Sequence, residues 1–249
     1  MAIAVYKPRI PHLLRSPMAK PHHPPPEKVQ TLAGARRDLY GLLSSAYLQT
    51  PDSKVFKMKW DPASEILKYR AQGNEKTLND IQKGLNLAKP YGLKENLTDE
   101  ETLTNLSRDW THLFRGVVKD GILPPYESLY RPERLQKKPA QEINRLFSKM
   151  GILVPEEWHQ PSDYIGVELD FMRFLCEKEW RLRNEGEPDA LREALEGEKS
   201  FLKDHLALWI PIFCERMLGE AQENYYLGIA HLTLGLVGFD GLWVPRLLV

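Results

Sequence analysis

Leu32, Ala35, Leu39, Leu42, Leu43 and Ala46 recur at three- and four-residue spacing and stop before Pro51. That period places them along one side of a helix. The same spacing predicts further helices over 62–71, 75–88, 99–114, 139–150, 163–184, 188–217 and 220–237. Several have recognisable starts. Thr98, Asp99, Glu100 and Glu101 supply a cap and first-turn acids, and Pro188 suits a first helical position. No run of alternating apolar and polar residues suggests strands, and no repeat of 20–50 residues is visible. Leucine outnumbers isoleucine plus valine by 37 to 21, which also favours helix. The expectation is one all-α domain of roughly eight or more helices.

Two stretches break the pattern. Seven of the 19 prolines precede Glu27, so residues 1–27 are expected to form an extended, mobile tail, with the helical domain over 28–249. His22 and His23 in this tail are read as solvated rather than metal-binding. The second stretch, 116–139, holds Gly121, Pro124, Pro125, Pro132 and Pro139 and reads ILPPYESLYRP at its centre. A long proline-punctuated connection inside a compact domain is often functional, although an ordinary crossover between two halves of a bundle reads the same way.

Polar residues on apolar faces are the informative exceptions. At about 100° per residue, Glu168 falls in the arc of Ile165, Val167, Leu169, Phe171, Met172, Phe174, Leu175 and Cys176. His205 falls among Phe201, Leu202, Leu208, Trp209 and Ile212. Both are expected to point inward, either as a core pair or as polar contacts in a cleft; Pro211 should bend the second helix near Trp209. Gly228 and Gly235 flank His231 on one face, which points to close helix approach rather than a ligand.

Composition narrows the function without naming it. The 249 residues carry 34 basic and 34 acidic side chains, so nothing marks a nucleic-acid or anionic-membrane binder. The two cysteines, Cys176 and Cys214, form neither a CxxC motif nor a disulfide framework and are read as buried thiols in a reducing compartment. No targeting segment is evident. The most apolar stretch, 225–237, is shorter than a bilayer span and is followed by Asp240 and Pro245. A cytoplasmic protein without stable membrane insertion is expected. Phosphate-loop, GxGxxG, HExxH and GxSxG motifs are absent, so no catalytic, metal or cofactor site is assigned.

Six motifs then coincide in order: RRDLYGLLSSAYLQTPD at 36–52, SRDWTHLFRG at 107–116, LPPYESLY at 123–130, PSDYIGVELDFMRFL at 161–175, FLKDHLALWIPIF at 201–213 and YYLGIAHLT at 225–233. Together they resemble the TorD/DmsD/NarJ family of redox-enzyme maturation chaperones, over about 36–237. The resemblance implies a non-enzymatic, all-helical cytoplasmic chaperone. Its partner would be a molybdopterin-dependent oxidoreductase catalytic subunit, bound through the apoform or the twin-arginine N-terminal leader until the cofactor is inserted. It further implies a leader- or client-binding region at Pro124, Tyr126, Glu127, Ser128, Tyr130, Pro161, Asp163, Tyr164, Glu168, His205 and Trp209. Tyr164 stands where the family has a histidine. The proline-rich tail and the GFDGLWVPRLLV end are not typical of it. The competing readings are a nucleotide-binding hydrolase, weighed down by the missing phosphate loop, and a helical regulatory adaptor.

Overall fold

The computed structural model describes residues 25–92, 100–116, 121–131, 138–152 and 160–248. The expected tail, apart from 25–27, and the Thr98–Asp99 cap lie outside these. The helices are α1 Pro26–Leu48, α2 Asp61–Ile66, α3 Glu75–Gly92, α4 Glu100–Phe114, α5 Glu127–Tyr130, α6 Pro139–Met150, α7 Ile165–Glu185, α8 Pro188–Phe201, α9 Ala207–Glu220 and α10 Asn224–Trp243. Short 3-10 turns at Ser53–Lys57 and Val244–Leu248 complete the set. Among the described residues there is no strand, only an isolated antiparallel bridge between Tyr126 and Tyr164. The fold is all-α and single-domain.

Two helix pairs carry most of the packing, α3 with α10 and α1 with α7. Small residues allow both. A Cβ on Gly84 would sit 2.7 Å from the Gly228 carbonyl oxygen and 2.7 Å from the Leu232 nitrogen. One on Gly235 would meet the Ile81 nitrogen at 2.8 Å. Close approach is therefore the reason for the glycines beside His231, and His231 itself bonds Asp80 at 2.9 Å. Gly84→Ala should lose about 1–3 kcal/mol in urea unfolding through forced separation of α3 and α10. Gly241→Ala, with nothing within 4 Å, should be neutral or stabilising, because alanine favours helix by about 1 kcal/mol. Equal effects at both positions would refute the packing explanation.

The predicted helix over 188–217 is two helices, α8 and α9, joined by a π-helical turn at Leu202–Leu206. Regular winding is thus broken one to two turns before Pro211, not at Trp209. Pro211 cannot donate to Ala207, but α9 continues through it. The helix predicted over 220–237 runs instead to Trp243 and takes in Asp240. This apolar region is long enough to cross a membrane by length and composition, yet 72% of it is buried inside the protein. It is a core helix.

Asp240 lies in the core because Arg36 meets it there. The Arg36 guanidinium bonds Asp240 at 2.7 and 2.9 Å and Glu179 at 2.5 Å, and it also bonds Glu198. Tyr40 donates to Asp240 at 3.0 Å. Arg36, Glu179, Glu198 and Asp240 are all fully buried and tie α1, α7, α8 and α10 to one point. Three acids around one arginine leave excess negative charge, which Arg183 offsets in part at Glu179. Burial accordingly pushes the Glu198 pKa up to about 8.

Candidate functional site

Backbone pairing clips the crossover to the start of α7. Glu127 N–H donates to the Asp163 carbonyl at 2.9 Å, and Ile165 N–H donates to the Pro125 carbonyl at 2.9 Å. The Tyr126 and Tyr164 rings lie 5.3 Å apart across this bridge. Their hydroxyls reach outward from it: Tyr126 donates to Gln160 at 2.9 Å and Tyr164 to the Tyr47 carbonyl of α1 at 2.7 Å. The Asp163 carboxylate accepts from Ser128 N–H at 3.3 Å, near the first turn of α5. Two motifs distant in sequence therefore form one unit, and they do so mainly through the main chain.

That unit sets Glu127 against the π turn. Glu127 is fully buried, and each of its oxygens is engaged. Arg131, one helical turn on, bonds Oε1, and His205 Nδ1 lies 2.8 Å from Oε2. Arg131 also donates to the Asp204 carbonyl at 2.8 Å, which holds the π turn to the crossover. Glu168 is fully buried beside Glu127 and accepts from Trp209 Nε1 at 3.0 Å, while its Oε1 finds no partner. Burial, and then the Glu127 charge, raise the Glu168 pKa well above the ordinary carboxylate range. A protonated Glu168 can donate to Glu127, which explains how two carboxyl groups share this space. Glu168 and His205 both point inward as expected. They belong to one cluster joined through Glu127 rather than to each other.

Tyr130 closes the cluster from the crossover side. Its ring lies 5.7 Å from Trp209 and 5.6 Å from Phe213, Arg216 sits over it at 5.4 Å, and its hydroxyl donates to the Leu123 carbonyl at 2.6 Å. Of the residues singled out from the sequence, Glu127, Tyr130, Asp163, Tyr164, Glu168, His205 and Trp209 are buried. Pro124, Tyr126 and Ser128 are half-buried, and Pro161 is exposed. The set is one connected neighbourhood, but most of it is an internal brace. A guanidinium from outside could reach Glu127 only by displacing Arg131 or His205.

What faces solvent there was not singled out as a surface. Leu123 is 41% exposed, Leu129 44%, Leu208 43% and Ile212 44%; these are the exposed large apolar side chains among the described residues. Leu123 and Leu129 belong to the crossover. Leu208 and Ile212 lie one turn apart on α9, the helix against which α5 packs. Arg131 was missed too, although its position four residues after Glu127 was a signal.

An all-helical chain with an internally braced crossover and an apolar outer face has the form of a binding protein. A family profile described as "Nitrate reductase delta subunit" matches residues 70–215. The chain belongs to this family, which includes the TorD, DmsD and NarJ redox-enzyme maturation chaperones. It is similar to a protein named "Chaperone protein TorD" from Photobacterium profundum, 32% identical over 149 residues, covering 59% of this chain and 67% of the relative. The protein of that name from Vibrio parahaemolyticus is 30% identical, covering 56% of this chain and 64% of the relative. One from Vibrio cholerae is 25% identical over 86% of this chain and 94% of its own length. These relatives are named as chaperones, not as enzymes.

Proposed function

We propose that the protein is a cytoplasmic chaperone for a molybdopterin-dependent oxidoreductase. It binds the catalytic subunit's apoform or its twin-arginine leader on the face formed by the crossover and α9. It holds that client until the cofactor is in place. The observation that carries this reading is the exposure of four large apolar side chains, Leu123 and Leu129 on the crossover and Leu208 and Ile212 on α9, with α5 of the crossover packed against α9. An isolated exposed leucine is ordinary, but large apolar residues gathered at one place mark an interaction surface. A leader's apolar stretch would lie on these residues as an amphipathic helix lies in a groove. Pro124, Tyr126, Ser128 and Pro161 border the same face, and the buried Glu127 cluster fixes its shape. The domain is proposed to comprise residues 28–249, with 1–27 as a tail whose last two residues, Pro26 and Glu27, already belong to the first turn of α1.

Calorimetric titration tests this reading. The N-terminal leader peptide of a molybdoenzyme from the same organism is titrated into wild type, Leu208→Asp and Ile212→Asp. Each substitution removes about 1.5–3 kcal/mol of apolar burial from the complex, so affinity should drop about tenfold or more. Unfolding midpoints should hardly change, because both positions face water in the free protein. Unchanged affinity in both variants places the client elsewhere. Absence of binding by wild type to peptide and apoenzyme alike rejects that client.

A further inference from the structure

A second concavity lies behind the Glu127 cluster and shares His205 with it. A pocket of about 540 Å³ opens between α6, α7 and α8, lined by Leu146, Met150, Phe171, Leu175 and Phe201, with His205 also in its wall. Its wall is aromatic: Phe171 and Phe201 meet edge to face at 4.7 Å, and Phe201 stacks on His205 at 4.8 Å. Glu142, Asp204 and Arg145 provide polar groups around it. A pocket of this size with an apolar wall and a few polar groups has the make-up of a ligand site.

Charge and reach identify an occupant within this chain. The 26 residues before Glu27 include Lys7, Arg9, Arg15 and Lys20 and no acid. The remainder therefore holds 30 basic against 34 acidic side chains in a chain whose net charge is zero. Much of the excess acid lies where α1 begins. Pro26, Glu27 and Gln30 border a hollow with Leu182, Glu187, Pro188 and Leu191, at the joint of α7 and α8. From that joint Glu185, Glu187, Asp189, Glu193 and Glu196 are exposed along the hairpin, with Arg181, paired with Glu185, and Arg192 as exposed bases among them. The pocket lies further along the same two helices. Leu182 to Leu175 is roughly 10 Å along α7, and Leu191 to Phe201 roughly 15 Å along α8. The eleven residues from Pro25 back to Leu14 reach about 34 Å as polyproline helix. Ile10, Leu13, Leu14 and Met18 can thus arrive at the pocket, and Arg9 and Arg15 accompany them.

We propose that residues 9–18 of this chain dock in the pocket between α6, α7 and α8, drawn along the acidic face of the α7–α8 hairpin. Leu13 and Leu14 fill the aromatic wall, and Arg9 and Arg15 pair with acids on the way in and at the rim. The docking makes no use of a client, so its failure and that of the client reading are separate results.

A spin label placed by Ser16→Cys in the full chain tests it, because Cys176 and Cys214 are buried and inaccessible to the reagent. Methionine methyl signals are then recorded. The Met150 methyl should lose its signal, while that of Met58, which lines a different hollow, should not. Adding Leu13→Asp and Leu14→Asp should restore the Met150 signal. Raised salt should restore it in part. Unselective broadening, or an unaltered Met150 signal, overturns the proposal. Broadening of Met150 in unlabelled copies mixed with labelled ones would assign the pocket to another molecule's tail and overturn docking within one chain.

Discussion

Arg36→Met should lower stability by about 3–5 kcal/mol near neutral pH. The substitution keeps an unbranched apolar stem but removes the guanidinium, and it strands Glu179, Glu198 and Asp240, all fully buried, without their shared counter-charge. Breaking a buried charge network from one side costs about 3–5 kcal/mol, and a typical domain has about 5–15 kcal/mol in all. The loss should depend on pH with a definite sign. Glu198 has a folded pKa near 8 against an ordinary 4.5, so between these values the folded state holds a proton that the unfolded chain releases. Wild-type stability contributed by Glu198 is therefore full below pH 4.5 and declines as pH rises to about 8. Glu198→Gln should flatten that decline. Without Arg36 the three acids gain still more from protonation, so the variant should recover stability as pH falls and show a steeper slope than wild type. Urea unfolding across pH measures both. A stable Arg36→Met variant with an unchanged slope would show that the network does not hold the four helices.

The periodicity of the chain made the helices legible, and α6 lies where the spacing put it, Pro139–Met150. Where the reading fell short, the cause is physical. Spacing does not reveal the π turn at Leu202–Leu206, because five residues are too few to separate its period from that of an α-helix. Glu168 and His205 were legible as inward polar groups because each interrupts an apolar face. Their connection through Glu127 was not, because α5 is four residues long and is placed by main-chain pairing with Asp163 and Ile165. Arg36 carried the same signal as Glu168. It lies four residues after Leu32 and three before Leu39, inside an apolar arc, and its partners come from three other helices. Asp240 read as the end of an apolar stretch because a charge normally marks one; paired with Arg36, it continues the helix instead. The exposed face was legible only as family motifs. Leu208 and Ile212 look like core by spacing, and only the packing of α9 on α5 shows which side of the helix remains uncovered.

Two glutamates side by side in the second cluster should differ widely in their response to the same change. Glu127→Gln removes the buried charge that faces Arg131 and His205, both nearly fully buried themselves. Loss of one partner from such a pair costs about 3–5 kcal/mol, somewhat less where the amide oxygen still accepts a bond. Glu168→Gln should cost no more than about 1 kcal/mol. Burial and the neighbouring Glu127 both favour the neutral form of Glu168. An amide can replace that form group for group, its oxygen accepting from Trp209 and its N–H facing Glu127. Glu127 and Arg131 should also couple, so that Glu127→Gln with Arg131→Met costs less than the two changes added together. If this cluster is an internal brace, client affinity measured on the folded fraction should change little with salt between wild type and Glu127→Gln. The opposite outcome is equally readable. A Glu127→Gln variant of unaltered stability, with a weaker and less salt-sensitive grip on the client peptide, would show that Glu127 releases Arg131 and meets a client arginine directly.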